Sequence, residues 1–176
     1  MDSPQYHPQY FTTTILDWQH LLKPDKYKDI IIQSLQFLVK EKRIELNAFA
    51  IMSNHIHLIW QIQQGQVREN VQRDFLKYTS QTIKRDLELN HPEVLKIFEV
   101  NAKDRKYQVW QRNPLSIDLW TKEVYIQKME YIHNNPVAAG LCVYPEDYKY
   151  SSAKFYESGN DNPIAIGFDF LTHWMA

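Results

Sequence analysis

Hydrophobic positions along this chain change period several times, and each change marks an expected element. Residues 11–18 (FTTTILDW) are dense in β-branched and aromatic side chains and predict a first strand, which Lys23-Pro24-Asp25 interrupts. From Asp25, a residue suited to capping, Ile30, Ile31, Leu35, Leu38 and Val39 recur at helical spacing to about Lys42. Period two returns over residues 44–52, with Ile44, Leu46, Ala48 and Ala50 alternating against Glu45, Asn47, Phe49 and Ile51. Ser53-Asn54 reads as a turn and residues 55–63 as a third strand, so these two strands should pair as an antiparallel hairpin.

Gly65 precedes a second helix over residues 67–89, where Val71, Phe75, Tyr78, Thr82 and Leu87 form the expected apolar stripe and Asn90-His91-Pro92 ends it. A strand pair or edge strand is expected around 107–111 and 116–120. Thr121 is a suitable N-cap, and Glu123 puts negative charge in the first turn, where the helix dipole favours it. That helix should run to about Asn135 and stop before Pro136. The order β-α-β-β-α-β predicts the α+β class: a ferredoxin-like sandwich with a central antiparallel sheet and an additional C-terminal, tyrosine-bearing helix. Residues 1–176 are expected to make a single domain, with 137–176 as an appendage packed on it.

Composition narrows the classes. With 44% hydrophobic residues and only 4 glycines, the chain reads as globular rather than disordered or fibrous. Cys142 is the single cysteine, which excludes an intrachain disulfide and a thiolate zinc cluster and fits a reducing compartment. No signal peptide and no membrane-length apolar run is visible, so a soluble, cytoplasmic protein is expected. The net charge of −1 runs against a nucleic-acid binder, but it is unevenly spread. Residues 67–112 hold ten Lys/Arg against seven Asp/Glu, whereas 136–176 hold two against five.

Two segments carry candidate chemistry. His55 and His57, two apart on a strand, project from one face with Cα atoms roughly 6.5–7 Å apart and can converge on one metal ion. Ile56, Leu58, Trp60 and Ile62 supply the apolar row opposite, so the pattern does not need the histidines for packing. A His-x-His pair also arises by chance on half-exposed strands, and it lacks a third ligand of its own. On the last helix Tyr125, Met129 and Ile132 make the buried stripe, while Tyr131 and Asn135 stack at i, i+4 on a polar face near Gln127 and Lys128. Tyr131 is one of 11 tyrosines, and packing with the hydroxyl at the surface is the ordinary fate of a helical tyrosine.

Read together, the segments resemble a known family. AFAIMSNHIHLIWQ resembles the strand bearing the histidine pair in IS200-like HUH transposases. EYIHNNPVAAGLCVYPEDYKYSSA resembles the tyrosine helix and following segment of their REP-associated tyrosine transposase branch. The wording Tyr-Ile-x-x-Asn-Pro-Val-x-x-Gly-Leu, then Pro-x-Asp-Tyr-x-x-Ser-Ser, is long and specific, and the likeness spans most of residues 10–155. Ser53 stands where relatives commonly have proline before Asn-His-x-His, and the net charge is low for the family.

The resemblance implies that His55 and His57 bind a divalent metal, with Asn135 at the position supplying the third ligand. An open set of imidazoles and a carboxamide suits Mg²⁺ or Mn²⁺ better than a closed zinc site. Tyr131 would attack DNA to leave a 5′-phosphotyrosine link and a free 3′-hydroxyl, on a single-stranded substrate bearing a hairpin. The family includes homodimers sharing tyrosine helices as well as monomers. Arg73, Lys77, Lys84 and Arg85, with Arg105, Lys106, Trp110 and Arg112, are the candidate DNA contacts, basic residues among aromatics suiting a backbone groove. A solvated helix face and a packed aromatic strand would look the same. A non-catalytic repeat-DNA-binding protein keeping the fold is the main alternative, and an unrelated His-x-His metal hydrolase a more remote one.

Overall fold

In the computed structural model, which describes residues 7–158, strands β1 (Gln9–Thr14), β2 (Ile44–Ile51), β3 (His55–Ile62) and β4 (Leu115–Asp118) form one sheet. The order across it is β2-β3-β1-β4, and every neighbouring pair is antiparallel. With α1 (Asp25–Lys40) after β1 and α2 (Arg68–Asn90) after β3, this is the ferredoxin-like α+β arrangement that the element order predicts. A one-turn helix α3 (Pro92–Leu95), the tyrosine-bearing α4 (Lys122–Ala138) and a short α5 (Ala153–Ser158) follow in the chain. Positions 159–176 of the expected appendage lie outside the described residues. Among the described residues no helix is long and apolar enough to cross a membrane.

Alternation along β3 separates two unequal cores. Ile56, Leu58, Trp60 and Ile62 face α1 and α2, joining Phe11, Ile31, Leu35 and Phe75 in the larger one. Fully buried side chains of this size contribute roughly 1.5–3 kcal/mol each. The opposite face carries a smaller cluster of Tyr10, Ala48, Ala50, Ile59, Leu119, Tyr125 and Ile132, across which α4 lies. The two alanines leave room for the helix to come close to the sheet.

Those alanines reach α4 through a departure from simple alternation. Leu46 pairs with Trp60 and Ala48 with Ile59, so Asn47 is an extra residue, a β-bulge. Beyond it every side chain changes face. Ile44 and Leu46 therefore share the larger core with Phe49 and Ile51, and the expected single row 44-46-48-50 breaks after Leu46.

Other boundaries move for identifiable reasons. β1 ends at Thr14 rather than Trp18, because Asp17 and Trp18 turn into positive φ. Pro24, not Asp25, is the N-cap of α1, and Asp25 is its first helical residue. The buried ladder of α2 runs Val71, Phe75, Thr79, Ile83, Leu87, at steps of four, leaving Tyr78 exposed and Thr82 half-buried. Residues 107–111 supply only isolated bridges, Glu99 with Tyr107 and Ile15 with Trp110; β4 alone joins the sheet.

Helix α4 runs through Pro136 to Ala138. Pro136 lacks only the N–H that would reach Ile132, and the helix closes with Gly140 N–H on Val137 O (2.9 Å) and Leu141 N–H on Pro136 O (3.0 Å). Gly140 holds φ 72°, as this closure requires. Asn135 is thereby set within the helix rather than at a frayed end.

Candidate active site

The histidines stand on the α4 face of β3. Their ring centroids are 4.7 Å apart and the planes cross at 75°. His57 is only 5% exposed, because α4 covers this face of the strand. Its Nδ1 lies 2.9 Å from Tyr10 Oη on the neighbouring strand β1. Its Nε2 is buried and has no hydrogen-bond partner.

His55 is half-buried and held from both sides. Asn54 Nδ2 donates to Trp18 O at 3.4 Å, which turns Asn54 Oδ1 toward His55 Nδ1 at 2.7 Å. With that orientation Nδ1 carries the proton and donates, and Nε2 presents a lone pair. Asn135 Oδ1 stands 3.2 Å from it. Burial holds the His57 imidazole down to about 3, with the positive charges that His55 and Lys128 can carry adding to the effect. Burial lowers His55 as well. Both rings are neutral near pH 7, the state in which imidazole binds metal.

Burial of Tyr125 and Ile132 against the sheet fixes the rotation of α4. That rotation carries Lys128, Tyr131 and Asn135 past the histidines. The Tyr131 ring is 51% exposed, with its centroid 5.5 Å from that of His57 and 6.4 Å from that of Tyr10. Lys128 Nζ lies 4.8 Å from the Tyr10 ring and 5.7 Å from the Tyr131 ring. His55, His57, Tyr131 and Asn135 thus meet within a single chain.

This arrangement fits a divalent ion. Among the described residues no three His, Cys, Asp or Glu side chains cluster, and the oxygen that stands against His55 Nε2 is that of the Asn135 carboxamide. Two ligands at right angles on an ion with bonds of 2.0–2.1 Å stand about 3 Å apart. The 3.2 Å between His55 Nε2 and Asn135 Oδ1 matches that spacing. The orphaned His57 Nε2 is a further donor with no other buried partner.

Tyr10 was not among the sequence candidates, because only the β1–β3 pairing brings it beside His57. Lys128 had a signal, three residues before Tyr131 on one helix. His133, which flanks the tyrosine, is engaged structurally: its Nε2 is 2.7 Å from Ser152 Oγ, and burial pushes it down to about 4.

The basic candidates lie elsewhere. Arg73, Lys77 and Lys84 of α2 line a groove of about 880 Å³ together with Arg105 and Arg112. Arg85 and Lys106 are outside its lining. Trp110 is there too, but it is 6% exposed and its indole N–H donates to Thr79 Oγ1 at 3.0 Å. It is floor rather than a free stacking face. Ion pairs temper the charge, Arg105 and Arg112 both with Asp104, Arg73 with Asp74 and Lys84 with Glu88.

Comparison with solved structures gives the same architecture. A structure of a REP-associated tyrosine transposase bound to a REP hairpin superposes with a TM-score of 0.66, covering 93% of this chain and 87% of that one. The chain has the fold of a REP-associated tyrosine transposase. At 18% identity the likeness is one of fold. A candidate transposase from Deinococcus radiodurans R1 aligns over 76% of this chain and 97% of its own at 19% identity, with a TM-score of 0.41 that adds no weight. No family sequence model and no curated protein matches the chain.

Proposed function

We propose that the chain is a metal-dependent single-strand DNA nickase and strand transferase of the HUH tyrosine type, acting on repeat or hairpin DNA. The observation that carries this reading is the meeting of Tyr131 with His57 at 5.5 Å between rings, beside the 3.2 Å approach of Asn135 Oδ1 to His55 Nε2. His55, His57 and Asn135 would hold Mg²⁺ or Mn²⁺, which when bound neutralises and orients the scissile phosphate. Tyr131 Oη forms a bond to phosphorus as the P–O3′ bond breaks. The phenolic proton passes to solvent, and the leaving O3′ takes one up. One phosphodiester replaces another, so the 5′-phosphotyrosine can be reversed onto a 3′-hydroxyl without ATP.

The remaining side chains support these steps. Lys128 places positive charge beside the Tyr131 ring, where negative charge develops on the phenolic oxygen and the phosphate. Tyr10, buried and with its phenol pushed up to about 12 by that burial, stays protonated and orients the His57 ring. The α2 groove offers backbone contacts for the hairpin, through Arg73, Lys77, Lys84, Arg105 and Arg112.

Labelled hairpin-bearing DNA from the flanks of the gene, incubated with Mn²⁺ or Mg²⁺, should give a covalent adduct on a denaturing gel with the native chain and none with Tyr131→Phe. Equal adduct from both would remove Tyr131 from the mechanism. Tight hairpin binding with no adduct under any metal would favour a binding protein that has kept the fold.

A further inference from the structure

The chain leaves β1 through a 3-10 turn, Leu16–Trp18, whose last two residues hold φ of 52° and 57°. Left-handed backbone at two successive non-glycine residues is uncommon, and such conformations persist where the surroundings impose them. Here Leu16 N–H bonds to Val109 O at 2.8 Å, Ile15 N–H to Asn54 O at 2.8 Å, and Asn54 Nδ2 to Trp18 O at 3.4 Å. The result is a tryptophan that belongs to neither core and stands 63% exposed. Its ring lies edge-on to His55, with centroids 6.0 Å apart.

Ring contacts then follow one another through the site: Trp18 with His55 at 6.0 Å, His55 with His57 at 4.7 Å, and His57 with Tyr131 at 5.5 Å. Tyr131 is at one end and Trp18 at the other. Displacement at phosphorus keeps the attacking and leaving oxygens roughly in line. A phosphate over the histidine pair, attacked by Tyr131, has its leaving O3′ on the side away from Tyr131, and Trp18 is the ring at the other end of this run of contacts. An exposed indole there has an open face for a base, and base–aromatic stacking tolerates any sequence.

We infer that Trp18 is the stacking platform for the nucleobase immediately 5′ of the scissile phosphate, the nucleotide that departs with the free 3′-hydroxyl. The inference rests on the nickase reading above. It gives the strained turn a purpose: the leaving strand is kept at the site after cleavage, ready for rejoining.

Binding is measured with Tyr131→Phe protein, so that cleavage does not consume the DNA, on an oligonucleotide whose cleavage position the active chain has defined. Trp18→Ala should weaken binding on the order of tenfold, and Trp18→Phe by no more than about threefold. Removing the base 5′ of the scissile phosphate should weaken binding to the Trp18 protein by a similar factor and leave Trp18→Ala unaffected. The same lesion on the 3′ side should weaken both proteins alike. In otherwise active protein, Trp18→Ala should release the 3′-hydroxyl fragment faster after cleavage. Independent, additive losses at the 5′ base, or coupling to the 3′ base instead, would overturn the assignment. If the active chain forms adduct normally and that coupling is absent, only the Trp18 role falls. If it forms no adduct with any such DNA, the nickase reading falls first.

Discussion

Tyr10 and Lys128 distinguish this site from a bare histidine pair and a tyrosine. Tyr10→Phe removes the hydroxyl that holds His57 Nδ1, and Mn²⁺ affinity measured by calorimetry should fall about 10- to 100-fold with the fold intact. Lys128→Ala should slow adduct formation on the order of 100-fold, with Lys128→Arg recovering most of it. A slow rate in the alanine variant with unchanged metal affinity would separate the charge from ligand positioning. Protonation adds a stability signature. His133 is held down to about 4 in the folded chain against an ordinary 6.5, so the unfolded chain binds the proton that the folded chain refuses. The stability is fully present above about pH 6.5 and is lost as pH falls toward 4; urea unfolding across that window should show it. His133→Asn should reduce the slope, the remainder coming from His57, which burial holds down to about 3.

At the scale of elements, the site depends on how closely α4 approaches the sheet. Ala50→Leu on β2 should overpack that contact by about 1–3 kcal/mol and cut adduct yield more than its stability loss explains. Gly140→Ala, at φ 72°, should lower stability by about 1 kcal/mol and leave the chemistry in place. These elements also show how far the chain was readable. Period changes and turn residues revealed the sheet, its helices and the ferredoxin-like order, because each rests on local spacing. The Asn47 bulge was invisible: one extra residue in β2 leaves the chain hydrophobic on both sides of it, and only pairing with β3 reveals the flip. Pro136 reads locally as a stop, yet α4 runs past it, losing one backbone donor and closing beyond it on Gly140 and Leu141. His-x-His and Tyr131 with Asn135 were visible as spacings, whereas Tyr10 and Trp18 enter the site through strand pairing and a turn geometry that no periodicity encodes.

Across the whole molecule, the basic groove and the tyrosine lie on different sides of the sheet. The groove runs along α2, on the larger-core face, and Tyr131 rides on α4 over the other. Gln72 Nε2 to Ser116 Oγ at 3.1 Å ties α2 to β4, so a strand occupying both sites would cross the β4 edge. Separate sites predict separable effects. Lys77→Glu should weaken hairpin binding and reduce its salt dependence by about one charge, yet leave cleavage at saturating DNA unchanged. The covalent chemistry assigned to Tyr131 is read by peptide mapping. After reaction with Mn²⁺ and hairpin-bearing DNA, nuclease trimming and trypsin, mass spectrometry reads the peptide 129–149, which contains Tyr131, Tyr144 and Tyr148. A nucleotide 5′-phosphate on Tyr131 alone, dependent on His57 and on metal, is the predicted result; the mark on another residue, or formed equally in chelator, would contradict the account.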